Sequence, residues 1–404
     1  MKVNQQEFNA FISEKKEPTW FSSYRKSAFK KLKSAKMPSF KYGLNILIEP
    51  TGFSFDALKP LSEPKSNIKI ENPEKSVSVS LGNALTDADP IIDEDLKDFT
   101  ASHWQDNNQL YYFNQAFAND FLIIKIPDNL ELKKPIQIRY DIKQSPFISN
   151  IFILAGKNAK AQILINKVSS NVPSKVSSNK ASYVADDVRI ISGPNSKIEF
   201  ITIQNLSKKT INVQRRNALT KKNAEVNWID ICLGTKYTKS DVITSLVDEG
   251  ATAKNTVLFL GSQEQQYDLY TASLHKSPNT FSDIVTKGVL NDKSKALSRG
   301  LVRIEKNAAG SNGYETQDVL ILSEKAEADA IPNLEIENND VKCSHGSTVG
   351  QIDKDKLFYL MSRGLAESEA KMKIVEGYFT PVLDLFKDPD LKDKVHNSIT
   401  KAMG

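Results

Sequence analysis

Between residues 150 and 340 short apolar runs alternate with brief turn signals, and no convincing helix intervenes. The runs include 151–154, 161–165, 188–191, 198–203, 226–233, 256–260, 301–304 and 319–322. A degenerate pattern recurs at the turns: an apolar residue, three polar or small ones, then Asn, Gly, Ser or Ala, then two more before the next apolar residue. It stands at Leu154…Asn158…Ala161, Ile191…Asn195…Ile198, Leu219…Asn223…Val226, Leu246…Gly250…Ala253, Leu290…Ser294…Leu297 and Leu322…Ala326. From Ile191 the starts lie 28, 27, 44 and 32 residues apart. These are near multiples of a unit of about 14 to 16 residues, which is a soft internal repeat.

A repeat of this kind describes a β-solenoid. No coil can bury its apolar face alone, so neighbouring coils stack and share one core. Asn, Gly and small residues belong where each coil turns, because such positions often need φ > 0. A β-sandwich built from the same short strands is the competing arrangement. The period favours the solenoid, giving a mainly β fold flanked by helical regions at both ends. The chain divides accordingly into a helical region (1–40), a mixed connecting region (41–145), a β core (146–350) and a C-terminal helical region (351–404). In the first region Phe8, Phe11 and Ile12 share one helix face. Residues 93–117 read as helical, and 121–126 and 136–142 as strands. In the last region Asp353 can N-cap a helix that stops at Gly364, a second carries Ile374, Val375, Tyr378, Phe379 and Val382, and a third carries Leu391, Val395 and Ile399.

Composition narrows the function. The net charge is only +5 over 404 residues, with Lys and Arg dispersed, which argues against a nucleic-acid partner. No run approaches the roughly 18 apolar residues of a membrane span. The polar start Met1-Lys2-Val3-Asn4 has no apolar stretch behind it, so no secretory signal is expected. Two distant cysteines make no disulfide framework, which favours a reducing, cytoplasmic setting. Two are also too few to hold a zinc ion or an iron–sulfur cluster unaided. No glycine-rich phosphate loop is present, so the chain carries no ATP site of its own.

Few residues are placed for chemistry. Cys343 and His345 stand two apart, so on a strand both project to one face, and thiolate with imidazole suits iron or zinc. Lys342 beside them could favour the thiolate. Cys232, inside an apolar run, reads as a small buried hydrophobe. Asp186-Asp187 reads as a turn or the start of a strand, Arg215-Arg216 as part of a solvated face, and His275 as isolated from any base or nucleophile.

The stretch Asp340-Val-Lys-Cys-Ser-His-Gly-Ser-Thr-Val-Gly350, followed by Leu357-Phe-Tyr-Leu-Met-Ser-Arg-Gly364, resembles the C-terminal signature of the SufD-type proteins of the SUF iron–sulfur cluster assembly system. Glu17-Pro-Thr-Trp20 with Arg25 and Ala28 is similar to that family's N-terminal helix, and Asn114-Gln-Ala-Phe117 to the approach to its core. Tyr314-Glu-Thr-Gln317 runs straight into Asp318, where SufB-type paralogues usually carry a cysteine, so the SufD type fits better. Ser347 stands where alanine is common.

The resemblance implies a right-handed parallel β-helix and a scaffold rather than an enzyme. It also implies pairing through the β-helix with a SufB-type paralogue, or with itself when alone, and docking of a SufC-type ATPase on C-terminal helices. His345, with Cys343 beside it, would then hold a transient iron–sulfur cluster at the subunit interface. Leu357, Phe358, Leu360, Arg363, Tyr378 and Phe379 would meet the ATPase. Two other readings compete: a structural solenoid without metal, and a β-helical enzyme acting on polysaccharide, for which no cluster of carboxylates is visible.

Overall fold

A computed structural model describes residues 4–15, 17, 19–38, 40–42, 46–50, 53, 55, 58, 66–81, 108–169, 182–386 and 389–403. It is a two-sheet β-solenoid of about eight coils with helices toward both ends. A short antiparallel pair, β1 (Phe40–Tyr42) and β2 (Ile46–Ile48), precedes it. One sheet holds β3 (Ser66–Glu71), β6 (Ile136–Ile142), β8 (Lys160–Val168), β10 (Lys197–Asn205), β12 (Glu225–Cys232), β14 (Thr252–Gly261), β16 (Phe281–Leu290), β18 (Ser311–Ile321) and β20 (Val341–Gln351). The other holds β4 (Ser78–Leu81), β5 (Asp120–Ile126), β7 (Phe147–Ala155), β9 (Ser182–Ser192), β11 (Thr210–Thr220), β13 (Tyr237–Leu246), β15 (Gln266–His275), β17 (Lys295–Ile304) and β19 (Glu327–Ile336). The chain alternates between these even and odd sheets, so each coil contributes one strand to each.

Neighbouring coils pair in parallel. The register advances 28 residues from Lys197 to Glu225, 27 to Thr252 and 29 to Phe281. The unit read from the sequence is therefore half a coil, one strand with its turn. The 44-residue gap from Leu246 to Leu290 marks a change of sheet, since Leu246 ends β13 and Leu290 ends β16.

The corners that follow odd-sheet strands explain why the period is legible. Asn129, Asn158, Asn195, Asn223, Gly250, Asn279 and Gly310 stack there, all with φ between 53° and 73°. Asn tolerates this left-handed conformation, and its amide can bond locally. The amides also link successive corners: Asn158 donates to Asn129 Oδ1 (2.7 Å), Asn195 to Asn158 (3.1 Å) and Asn223 to Asn195 (3.3 Å). Gly250 ends this run, and a Cβ there would collide with Asn223 Oδ1.

The two ends of the chain cover the outer faces of the solenoid. Helices α1 (Gln5–Ser13), α2 (Thr19–Leu32) and α3 (Gln109–Phe117) bring Phe8, Phe21, Phe29 and Phe117 onto Phe121, Phe152, Tyr183 and Tyr237 of the odd sheet. Arg25, fully buried, fixes this cap. It pairs with Glu17 at 2.6 Å and donates to the carbonyls of Ala116 and Ala118 at the end of α3. A guanidinium can satisfy helix-end carbonyls and a carboxylate together because its donors form a rigid fork. Of the helix expected over 93–117, Gln109–Phe117 is observed with Asn108 as its N-cap, and the rest lies outside the described residues.

At the other end come α4 (Lys354–Ser362), α5 (Glu367–Leu383) and α6 (Pro389–Met403). Asp353 accepts from the Asp355 and Lys356 amides, and Gly364 follows α4 at φ 94°, as the sequence suggested. Val375, Phe379, Val382, Leu391, Val395 and Ile399 cover Ile201, Ile229, Ile231, Leu258 and Leu260 on the even sheet. No helix among the described residues is long and apolar enough to cross a membrane.

Candidate functional site

The last coil is built differently from those before it. In β17 and β18 most positions are buried, whereas β19 and β20 contain no buried residue. β20 pairs with β18 and β19 with β17, and neither has a further neighbour among the described strands. Ile336 and Val349 are 44% and 45% exposed there. The solenoid thus ends on two open strand edges with their inner face in view.

Cys343 and His345 sit on β20, in register with Gly313 and Glu315 of β18. A Cβ on Gly313 would collide with Val302 of the opposite sheet and lie 3.6 Å from Cys343 Sγ, so this column faces the lumen. Cys343 packs partly against the inner cluster of Ile284, Val302, Ile304 and Ala308. Burial pushes its thiol pKa up, with the Gly313 backbone partly offsetting this. His345, two residues on, belongs to the same strand face but is exposed because no coil covers it.

Glu315 lies within the run Tyr314-Glu-Thr-Gln317, in which the sequence gives it no role of its own. It is 2% exposed, reaches across the lumen to Gly300, and accepts a hydrogen bond from Gln317 Nε2. Among the described residues its Oε2 has no hydrogen-bond partner. Burial pushes its carboxyl up to about 7, against hydrogen bonds from Gln317 and the Asn333 amide. Only its parallel register with a residue 30 positions later reveals it. Among the described residues no three His, Cys, Asp or Glu side chains are gathered at metal-binding distance. Cys343 and His345 therefore supply two donors of suitable chemistry on one accessible face, short of the four usual for a cluster.

Other expectations divide. On α4, Phe358 and Tyr359 are 72% and 57% exposed, Arg363 just beyond it is exposed, and Leu357 and Leu360 are half-buried. On α5, Phe379 is fully buried against the even sheet, and Tyr378 is half-buried with Lys287 4.6 Å from its ring centre. Both face the chain's own core because α5 covers a stripe of Ile and Leu left bare by the strands.

Asp186-Asp187 is not a turn. Both lie buried within β9, Asp186 paired inside the lumen with Lys167, and Asp187 outside with Arg189. Arg215-Arg216 is not a solvated face either. Arg216 is fully buried and pairs with Asp230, and Arg215 lies buried against the Tyr111 ring. Cys232 is buried as expected, which pushes its thiol up to about 12. His275 is buried between Thr280 and Ser282 at 2.8 Å each, and burial lowers its pKa to about 4.

Residues 139–378 match the family described as SUF system FeS cluster assembly, SufBD core domain. That is more than half of the chain. The chain belongs to the SufBD family of iron–sulfur cluster assembly proteins. Among similar proteins, the iron-sulfur cluster assembly protein SufD of Bacillus subtilis is 26% identical over 95% of this chain and 94% of its own length. A SufBD family protein of Staphylococcus saprophyticus is 27% identical over 91% of this chain and 86% of its own. One from Staphylococcus epidermidis is 30% identical over 68% of this chain and 58% of its own. The SufBD match runs from β6 to β20 and on through α4 into α5. The names of these relatives describe assembly proteins, in keeping with a role in iron–sulfur cluster assembly.

Proposed function

We propose that this chain is a SufD-type scaffold subunit without catalysis of its own, working in a reducing, cytoplasmic setting. In this reading the open end of its solenoid pairs with a SufB-type paralogue, and a nascent iron–sulfur cluster forms transiently at the junction. The observation that carries the reading is the last coil: two open strand edges displaying a thiol and an imidazole on one inner face. Open edges are templates for strand pairing, and soluble proteins ordinarily block them. Two donors from one chain leave coordination positions for a partner, and a shared site can release its cargo when the interface loosens. The cluster is cargo here, so a stable redox centre would be out of place.

The second contact is with a SufC-type ATPase, on α4. Its exposed Phe358, Tyr359 and Met361 are left uncovered while α5 and α6 bind the solenoid. Large exposed apolar side chains grouped on one helix mark an interaction surface. The docking surface therefore narrows to Leu357, Phe358, Leu360 and Arg363, with Tyr378 and Phe379 transmitting movement to the even sheet rather than touching the partner.

Anaerobic co-purification with a SufB-type and a SufC-type protein, followed by iron and sulfide analysis, tests the reading. A stable complex should gain a labile cluster that His345→Ala loses without change of fold. Normal cluster yield in His345→Ala would remove the site assignment. A chain ending at Gln351 should lose the ATPase, and unchanged capture would move that contact elsewhere.

A further inference from the structure

One exposed face of the N-terminal cap carries charge of a single sign. On the C-terminal helices Lys356 lies beside Asp353, Lys371 beside Glu367, Lys373 beside Glu376 and Lys392 beside Asp384. Along the solenoid Lys197 pairs with Glu225 and Lys295 with Glu327 on adjacent strands. On α2 and the turn after it, Lys26, Lys30, Lys31, Lys33 and Lys36 are all exposed. The stretch 19–36 contains no Asp or Glu. Among the described residues none of these ammonium groups is in an ion pair. Lys33 donates to the Gln5 side chain at 3.4 Å, and Lys31 and Lys33 lie over the Tyr112 and Phe29 rings.

Helix physics accounts for part of this stripe. The helix dipole favours cations in the last turn, which covers Lys30 and Lys31. Lys26 stands a turn earlier, and Lys33 and Lys36 lie beyond the helix. Like charges four apart, as at Lys26 and Lys30, weaken a helix. The opposite side of α2, with Phe21, Arg25, Phe29 and Leu32, is buried in the cap, so the stripe is held on a fixed surface.

We infer that this face docks a carboxylate-rich segment of a partner protein, laid along α2. The stripe from Lys26 to Lys36 is about 15 Å long, and so dense a row of one sign steers an acidic chain. All its charges are lysines, while Arg25 is buried against Glu17. The guanidinium fork that suits phosphate is therefore absent from the surface, which favours carboxylates over a nucleic acid. The apolar side of α2 is already used in the cap, which leaves none to enter a lipid surface. Phe21 packs on Phe121 of β5, and Tyr24 accepts from Arg189 of β9. β9 lies five strands from β19 in the odd sheet, about 24 Å away. A partner here leaves the open end free, and the inference does not depend on the cluster-site reading.

The test is fluorescence anisotropy of the full chain with a labelled ten-residue polyglutamate peptide, with phosphatidylserine vesicles and ten-nucleotide single-stranded DNA as competing probes. Wild type should bind the peptide, and more weakly as salt rises. The triple variant Lys26→Gln, Lys30→Gln, Lys36→Gln should lose at least about tenfold in affinity. The triple Lys222→Gln, Lys276→Gln, Lys306→Gln removes the same charge from exposed solenoid positions and should lose less than about twofold. Lys26→Gln alone, outside the last turn, should weaken binding about twofold while melting with wild type, which keeps the test open if the first triple is unstable. Equal losses in the two triples would assign binding to net charge and overturn the inference. A wild-type chain that ignores the peptide, or that binds the vesicles or the DNA more tightly, also overturns it.

Discussion

The two ends of the solenoid are finished in different ways. At the N-terminal end the outermost strands are β3 and β4, which run antiparallel to β6 and β5. The aromatic cap of α1, α2 and α3 packs on the odd sheet. At the C-terminal end nothing among the described residues closes β19 and β20. The C-terminal helices, which could have served as a plug, lie instead along the side of the even sheet. An edge left open when covering material is present in the same chain reads as a surface kept for another molecule.

Substitutions at the two ends should therefore differ in kind. The largest effect is expected from Arg25→Ala, which strands Glu17 and two helix-end carbonyls in a buried cap. Removing one partner of a buried ion pair costs about 3–5 kcal/mol, which urea unfolding would measure. A loss below about 1 kcal/mol would mean that Arg25 does not hold the cap on the odd sheet.

A smaller effect concerns pH. His275 has a folded pKa of about 4 against an ordinary value of 6.5, because burial between two hydroxyls favours the neutral ring. The unfolded chain therefore binds more protons between these values. The stabilisation is complete above pH 6.5 and is lost as pH falls through about 4, amounting to roughly 3 kcal/mol. Denaturant midpoints measured from about pH 7 to about pH 4 should show this fall, and His275→Gln should flatten it. An identical slope in the variant would assign the acid sensitivity to other groups.

At the open end the expected change in stability is the smallest. Val349→Lys should shift unfolding by no more than about 0.5 kcal/mol, as for most exposed positions. The same change should nevertheless prevent pairing with a SufB-type partner in size-exclusion assays. Phe358→Ala should behave alike toward the ATPase, leaving the melting curve in place while weakening capture. Strong destabilisation by either would show that these residues support the chain's own fold.

Much of this architecture is legible in the sequence because one corner of each coil demands a left-handed residue. Asn158, Asn195, Asn223 and Gly250 mark successive coils, so the period survives wide variation in the strands. The charged residues of the core are illegible for the converse reason. A parallel sheet covered on both faces has no polar side to alternate with. Asp186 and Arg216 therefore sit in mid-strand like any core residue, paired with Lys167 and Asp230 from other strands. Helical periodicity shows that α4 and α5 each have an apolar face, but the same pattern serves a face docked on the solenoid and one left bare. The Cys343–His345 pair is visible as a motif, whereas the burial of Glu315 follows from the stacking of the coils.

The measurement closest to the central claim is amide hydrogen exchange across 327–351, for the chain alone and in an anaerobic complex with a SufB-type partner. An open edge predicts rapid exchange of the outward amides of β19 and β20 in the free chain and strong protection in the complex. Complex formation that leaves exchange at 327–351 unchanged would contradict the account, since the partner would then bind elsewhere.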